Sequence, residues 1–175
     1  EIGRTRSFGG CARALVNDGW GFVSFNNLSD LPGRVELAVK QAQFAGNKKS
    51  KLAPVEPVVD IVSSKDKDPM AMPLAEKKQL LDEYNALIWH TPKLQTSIIG
   101  YSDSHKKLIF INSLGSFIEQ ERTDISLRLT AVATEGSQVQ QVGLSLGSNG
   151  DFSLIQGLHQ QVKRMSQHAV ELLSA

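Results

Sequence analysis

Gly143-Leu144-Ser145-Leu146-Gly147 matches, letter for letter, the G-x-S-x-G pattern of a nucleophile elbow. That chemistry needs a strand that stops at the serine and a helix that begins at once, lifting the hydroxyl clear of the sheet. Here the alternation of Val142, Leu144 and Leu146 runs on through Ser145, and Ser148-Asn149-Gly150-Asp151 intervenes before any helical text. Ser145 therefore reads as a serine on the solvent side of a strand. Asp103-Ser104-His105 gathers the residue types of a catalytic triad, but neighbours in a polar turn cannot form the relay geometry. Glu119 and Glu121 point the same way from one expected strand. Such a pair can act as acid and base, although a solvated strand face is the simpler reading. The histidines His90, His105, His159 and His168 have no partner at i+4, and none lies near Cys11, so no zinc spacing is recognisable. Gly19-Trp20-Gly21 leads into a strand and no G-K-[ST] occurs, so no helix N-terminus is offered to a phosphate. These residues nominate no catalytic, cofactor-binding or metal-binding side chain.

Composition narrows the classes further. The chain has 175 residues, 41% hydrophobic and 21% charged, as a globular protein of one or two domains does. A net charge of +1 argues against a dedicated nucleic-acid surface. The basic cluster Lys48, Lys49 and Lys51 falls in linker-like text and reads as a solvated connector. A single cysteine excludes an internal disulfide framework and fits a reducing compartment. No apolar run approaches the ~20 residues that span a bilayer, and no signal segment opens the chain. Glu1 in place of Met gives the expectation of a processed or excised piece.

The elements that would position these side chains follow from pattern. Residues 11–16 and 20–25 flank Asn17-Asp18-Gly19, a hairpin signal. A helix is expected from Asp30 to Ala45, capped by Ser29, with Leu31, Val35, Ala38, Ala42 and Ala45 on its apolar face. Residues 47–72 carry prolines and Lys/Asp-rich text without period, and are expected to be an irregular linker. A second helix runs from Leu74 to His90 with a stripe of Leu74, Leu81, Tyr84 and Ile88. Strands follow at Gln95–Tyr101 and Lys107–Asn112, joined by a turn at Ser102–His105, then a short one at Ser116–Glu121. Leu108-Ile109-Phe110-Ile111 is apolar on both faces, so its strand is expected to be central. Ile125, Leu127, Leu129, Ala131 and Ala133 alternate with polar residues, as in a half-buried strand. Val142, Leu144 and Leu146 return, with a bulge expected near Gln140-Gln141 because Val139 is out of phase. Ser153 and Gln156 have capping-box spacing for a last helix lined by Leu154, Leu158, Val162, Met165, Ala169 and Leu172. The expectation is an α+β fold: a ββα piece at 1–46, a linker at 47–72, and a domain at 73–175 of a helix, about five antiparallel strands and a helix.

Two stretches carry a resemblance to a family. Gly10-Cys11-Ala12-Arg13-Ala14-Leu15-Val16-Asn17-Asp18-Gly19-Trp20-Gly21-Phe22, then Asn26-Asn27-Leu28-Ser29 and an Ala-rich helix, resembles the opening of TldD/PmbA metalloproteases. Tyr101-Ser102-Asp103 through Ile111-Asn112-Ser113-Leu114-Gly115 resembles that family's second domain, and Ala169–Ala175 the helix before its catalytic domain. The resemblance implies a truncated first domain, its opening helix and strand expected before Glu1. It also implies a zinc motif, His-Glu-x-x-x-His plus a cysteine, after Ala175, so that Cys11 does not hold metal. It implies a cytoplasmic zinc peptidase, some of whose members are called modulators of DNA gyrase, that trims peptides or unfolded chains as a homodimer or with a sister subunit. This chain would be its non-catalytic scaffold, with no cofactor of its own. The polar alternation of Ser126, Arg128 and Thr130 fits a chamber wall or plain exposure, and an open strand edge could accept an extended substrate. The alternative is a stand-alone binding or assembly module with no protease activity.

Overall fold

A computed structural model describes residues 2–46, 52–63 and 68–175 and divides into two compact units, Glu1–Glu56 and Pro57–Ala175. The Lys48, Lys49 and Lys51 cluster lies outside the described residues.

In the first unit, β1 (Gly10–Val16) and β2 (Gly19–Phe25) form an antiparallel hairpin. The positive φ angles fall on Asn17 (48°) and Asp18 (67°), so these two make the turn and Gly19 already belongs to the strand. Gly19 and Gly21 have another role. A Cβ at Gly21 would lie 1.8 Å from the Ala38 carbonyl oxygen, and one at Gly19 2.0 Å from that of Ala42. Their bare backbone lets α1 (Leu31–Ala45) lie directly on β2, burying Ala38 and Ala42. Asp30 caps α1 rather than Ser29, its carboxylate accepting from the Gly33 N–H at 3.2 Å. Leu31, Val35 and Ala45 of the expected stripe are exposed, because only the alanine face comes close enough to the glycines.

The second unit is built on two long strands. β4 (Leu94–Ile111) and β5 (Phe117–Glu135) pair antiparallel from Leu94↔Ala133 to Ile111↔Phe117. No turn interrupts Ser102–His105: each residue there has a cross-strand partner on β5, and the Ser102 and Ser126 hydroxyls meet at 2.9 Å. β5 likewise absorbs two expected strands. β6 (Gln138–Ser148) pairs antiparallel with the second half of β5, from Glu135↔Gln138 to Ile125↔Ser148, with no bulge; Val139 is simply exposed. The register irregularity lies at Leu94/Thr96 instead. The text expected to be irregular contributes β3 (Val59–Val62), which pairs parallel with the first residues of β5, and a 3-10 turn at Pro69–Ala71. Its β-branched run was obscured by flanking prolines. Residues 73–175 thus hold three strands rather than about five, and β3 adds a fourth to this unit, in an α+β fold whose sheet is mainly antiparallel.

Two helices cover one face of that sheet. α2 (Leu74–Trp89) and α3 (His159–Glu171) bury Tyr84, Ile88, Val162, Met165 and Ala169 against Ile125, Leu127, Leu129, Ala131 and Ala133. Each fully buried aliphatic side chain contributes about 1.5–3 kcal/mol. Leu74 is exposed and Lys77 takes the buried place, one turn before Leu81. Ser153 caps no helix: Asp151 accepts from the Ser153 N–H at 2.9 Å to start a 3-10 turn at Phe152–Ile155. Gly157, with φ +71°, then redirects the chain into α3. After α3 the last turn tightens, so Leu173 rather than Leu172 is buried. Tyr84 joins these pieces, its hydroxyl donating to the Ile155 carbonyl at 2.5 Å and accepting from the Leu158 N–H at 3.2 Å. No helix among the described residues is long and apolar enough to cross a membrane.

Candidate functional site

β6 runs straight through Ser145, with no helix behind it, so the elbow geometry is absent. Ser145 stands on the face of the sheet that the helices leave open, cross-strand from Arg128, whose Nε donates to the Ser145 hydroxyl at 3.5 Å. Asp103 and His105 share one face of β4, and alternation puts Ser104 on the other. Glu119 and Glu121 share a lysine: Lys107 Nζ lies 2.5 Å from one and 4.0 Å from the other. The hydrogen bond and charge of Glu119 hold the Lys107 ammonium above its ordinary pKa.

The possible metal donors are dispersed. His90 Nδ1 meets the Ala86 carbonyl at 2.5 Å, and His159 lies against the Tyr84 ring with Glu83 at 3.5 Å. His168 pairs with Glu171, His105 faces Asp68 at 3.8 Å, and Cys11 is exposed on β1. Among the described residues no three His, Cys, Asp or Glu side chains converge where an ion could sit. These residues do not fit a zinc centre.

What the structure does assemble is two polar arrangements on opposite faces of one sheet. On the helix-covered face, where the cover ends, the Lys77 ammonium is paired with the Asp103 carboxylate and stands 5.5 Å over the Tyr101 ring. The Tyr101 hydroxyl donates to the same carboxylate at 2.6 Å. Burial first, then the bond to Asp103 and its charge, push the Tyr101 phenol far above its usual pKa. A lysine inside an apolar helix stripe signals such a buried partner, and the spacing Lys77, Leu81, Tyr84, Ile88 was legible.

On the open face, the cross-strand rows are Gly100–Arg128–Ser145, Ser102–Ser126–Gly147 and Ile98–Thr130–Gly143. All are exposed except Thr130, which is half-buried. A Cβ at Gly100 would meet nothing within 4 Å, so packing does not demand a glycine there. The side chains around Arg128 are small apart from the exposed Ile98, and its guanidinium lies beside the Ser145 hydroxyl. A guanidinium so placed can bind a carboxylate through paired N–H donors.

Comparison with known proteins fits this architecture to a family. The model of the PmbA/TldA metallopeptidase central domain matches residues 67–173, and that of PmbA/TldA metallopeptidase domain 1 matches residues 1–44. A metalloprotease of Synechocystis is 36% identical over 96% of this chain and 37% of its own length. Two solved structures share the fold. TldE from Thermococcus kodakarensis has a TM-score of 0.68 at 16% identity, over 94% of this chain and 42% of that one. A candidate modulator of a DNA gyrase from Thermotoga maritima has 0.68 at 14%, over 97% and 43%. The chain spans less than half the length of each.

Proposed function

We propose, from the premise that this chain belongs to the PmbA/TldA metallopeptidase family, that it is the non-catalytic N-terminal and central region of a zinc-dependent peptidase acting on peptides or unfolded proteins. Residues 1–44 are then part of the family's first domain and residues 67–173 its central domain, with β3 belonging to the same sheet as the latter. The observation that carries the reading is the order of the two family models, domain 1 over residues 1–44 and the central domain over 67–173. In this reading zinc is held by another part of the longer protein, the compartment is the cytoplasm, and a like or sister subunit completes the assembly. The open face around Arg128 walls a chamber. An extended substrate pairs with the free edge of β4 or β6 by backbone hydrogen bonds, which tolerate any sequence, while Arg128 attracts its carboxylates. A net charge of +1 gives direct DNA contact no support.

Native mass spectrometry under zinc titration tests this, on the 175-residue chain and on a version extended by roughly 250 residues, one or two further domains. The expected result is one zinc per subunit, and cleavage of an unstructured peptide, in the extended form alone. Stoichiometric zinc or peptide hydrolysis in the short chain sinks the reading. A zinc-free, inactive extended form favours a binding module instead.

A further inference from the structure

Along the inner half of the main sheet, β4 and β6 each have one edge without a strand partner among the described residues. The two edges differ. β4 carries Asp103, His105, Lys106 and Lys107, and charges of that kind guard an edge against further pairing. β6, from Gln138 to Ser148, holds no charged residue and no proline. Its two faces also differ. Val142, Leu144 and Leu146 are partly buried against the core, whereas Gly143, Ser145 and Gly147 are exposed on the open face. Arg128 stands one strand in from this edge, cross-strand from Ser145. Lys77, Lys93, Lys107 and Arg122 of the same unit each hold a carboxylate, those of Asp103, Glu135, Glu119 and Asp124. Arg128 meets none among the described residues; its Nε donates to the Ser145 hydroxyl at 3.5 Å, toward the β6 edge.

We infer that the β6 edge holds an extended peptide segment, and that Arg128 is a specificity-determining residue selecting segments with an acidic side chain between two apolar ones. Successive side chains of an added strand alternate between faces. A residue opposite Ser145 on the open face therefore has neighbours opposite Leu144 and Leu146 on the covered face. Apolar neighbours extend the partly buried row of Leu144 and Leu146. The acidic side chain has two strand spacings, roughly 10 Å, between its backbone and that of Arg128. A glutamate and an arginine span that distance together, across Ser145, and the flanking Gly143 and Gly147 put no side chain in the way. Paired N–H donors then bind the carboxylate. A nucleic acid is the poorer match. Lys106 and Arg128 are the cations of this face that lack a carboxylate, few beside the roughly six to ten phosphate contacts of a polyanion binder. The inference rests on the proposed peptidase reading and adds the substrate class and the edge that holds it.

Fluorescence anisotropy of labelled unstructured peptides, about ten residues or two typical strands long, on the 175-residue chain tests the inference. Three peptides differ only at one central position between valines, which is Glu, Gln or Lys. The wild type is expected to bind the Glu peptide about tenfold or more tighter than the Gln peptide, the scale of one charge-assisted hydrogen bond. Arg128→Gln is expected to bind those two within about twofold. Arg128→Glu is expected to turn the preference to the Lys peptide, a reversal that a misfolded chain cannot produce. Hydrogen exchange of the unmutated chain supplies a second arm: amides of β6 must gain protection when the Glu peptide is bound. No binding of any peptide at about 1 mM overturns the inference, as does a wild type that binds Glu and Gln peptides alike. Protection along residues 94–103 of β4 instead overturns the β6 edge, and a single-stranded oligonucleotide that competes as well as the Glu peptide overturns the substrate class. None of these measurements needs zinc or cleavage, so the peptidase reading stands or falls by its own assay.

Discussion

The same two strands, β4 and β5, live in two environments. In their inner half, from Leu94 to Asp103 and Ile125 to Glu135, β6 is the third strand and α2 and α3 cover one face. Along β5 the burial alternates strictly there, Ile125, Leu127 and Leu129 at 2% exposure or less beside exposed Ser126 and Arg128. In the outer half β3 replaces β6, no α-helix among the described residues lies above, and Leu108 to Ile111 are about half to two-thirds exposed. Backbone pairing is continuous across both halves. Hydrogen bonding therefore sets the length of the ribbon, while cover decides which apolar side chains stabilise the fold. Lys77, Asp103 and Tyr101 mark the change: a paired charge is tolerated where the interior meets solvent.

Truncations on the two halves should separate them most. Leu129→Ala, at a fully buried site, should lower unfolding free energy by about 2–5 kcal/mol. Ile111→Ala should stay within about 0.5 kcal/mol in dilute, monomeric protein. Urea denaturation of both measures the contrast, and equal losses would mean the outer half is covered within one subunit. At the boundary, Lys77→Met leaves the Asp103 carboxylate, 15% exposed, without its cation. The expected cost is about 3 kcal/mol, read as a lower urea midpoint with unchanged slope; a loss below about 0.5 kcal/mol would show that the pair is solvated.

The smallest effect is on pH dependence. The Tyr101 pKa is raised in the folded state, so the folded chain holds that proton more tightly than the unfolded one. Its contribution is complete below the unfolded value of about 10 and is lost as pH climbs beyond it. Tyr84, raised chiefly by burial, and Lys107, raised by Glu119, titrate in the same direction. Tyr101→Phe should therefore flatten, without abolishing, the fall in stability between about pH 10 and 11. An unchanged slope would show that the phenol is not held neutral by its surroundings.

Local pattern sufficed wherever a residue's environment came from its sequence neighbours. The turn at Asn17-Asp18, the buried face of β5, the stripe of α3 from Leu158 to Ala169 and the α+β class are all legible, because periods of 2 and 3.6 encode a single covered face. The polar alternation of Ser126 and Arg128 was legible too, but not the glycines and serines that β4 and β6 bring beside it. Only tertiary structure decided that Gly19 and Gly21 admit a helix, that Ser102–His105 is mid-strand, and that β3 joins the sheet. Cross-strand partners satisfied polar text that alone reads as a turn. Lys77 is buried because Asp103, 26 residues away, meets it there. The Leu108–Ile111 text announced cover on both faces, and the described residues of the second unit leave all four side chains about half exposed or more. A sequence states what its side chains require; which surface meets the requirement depends on distant chain or on another molecule.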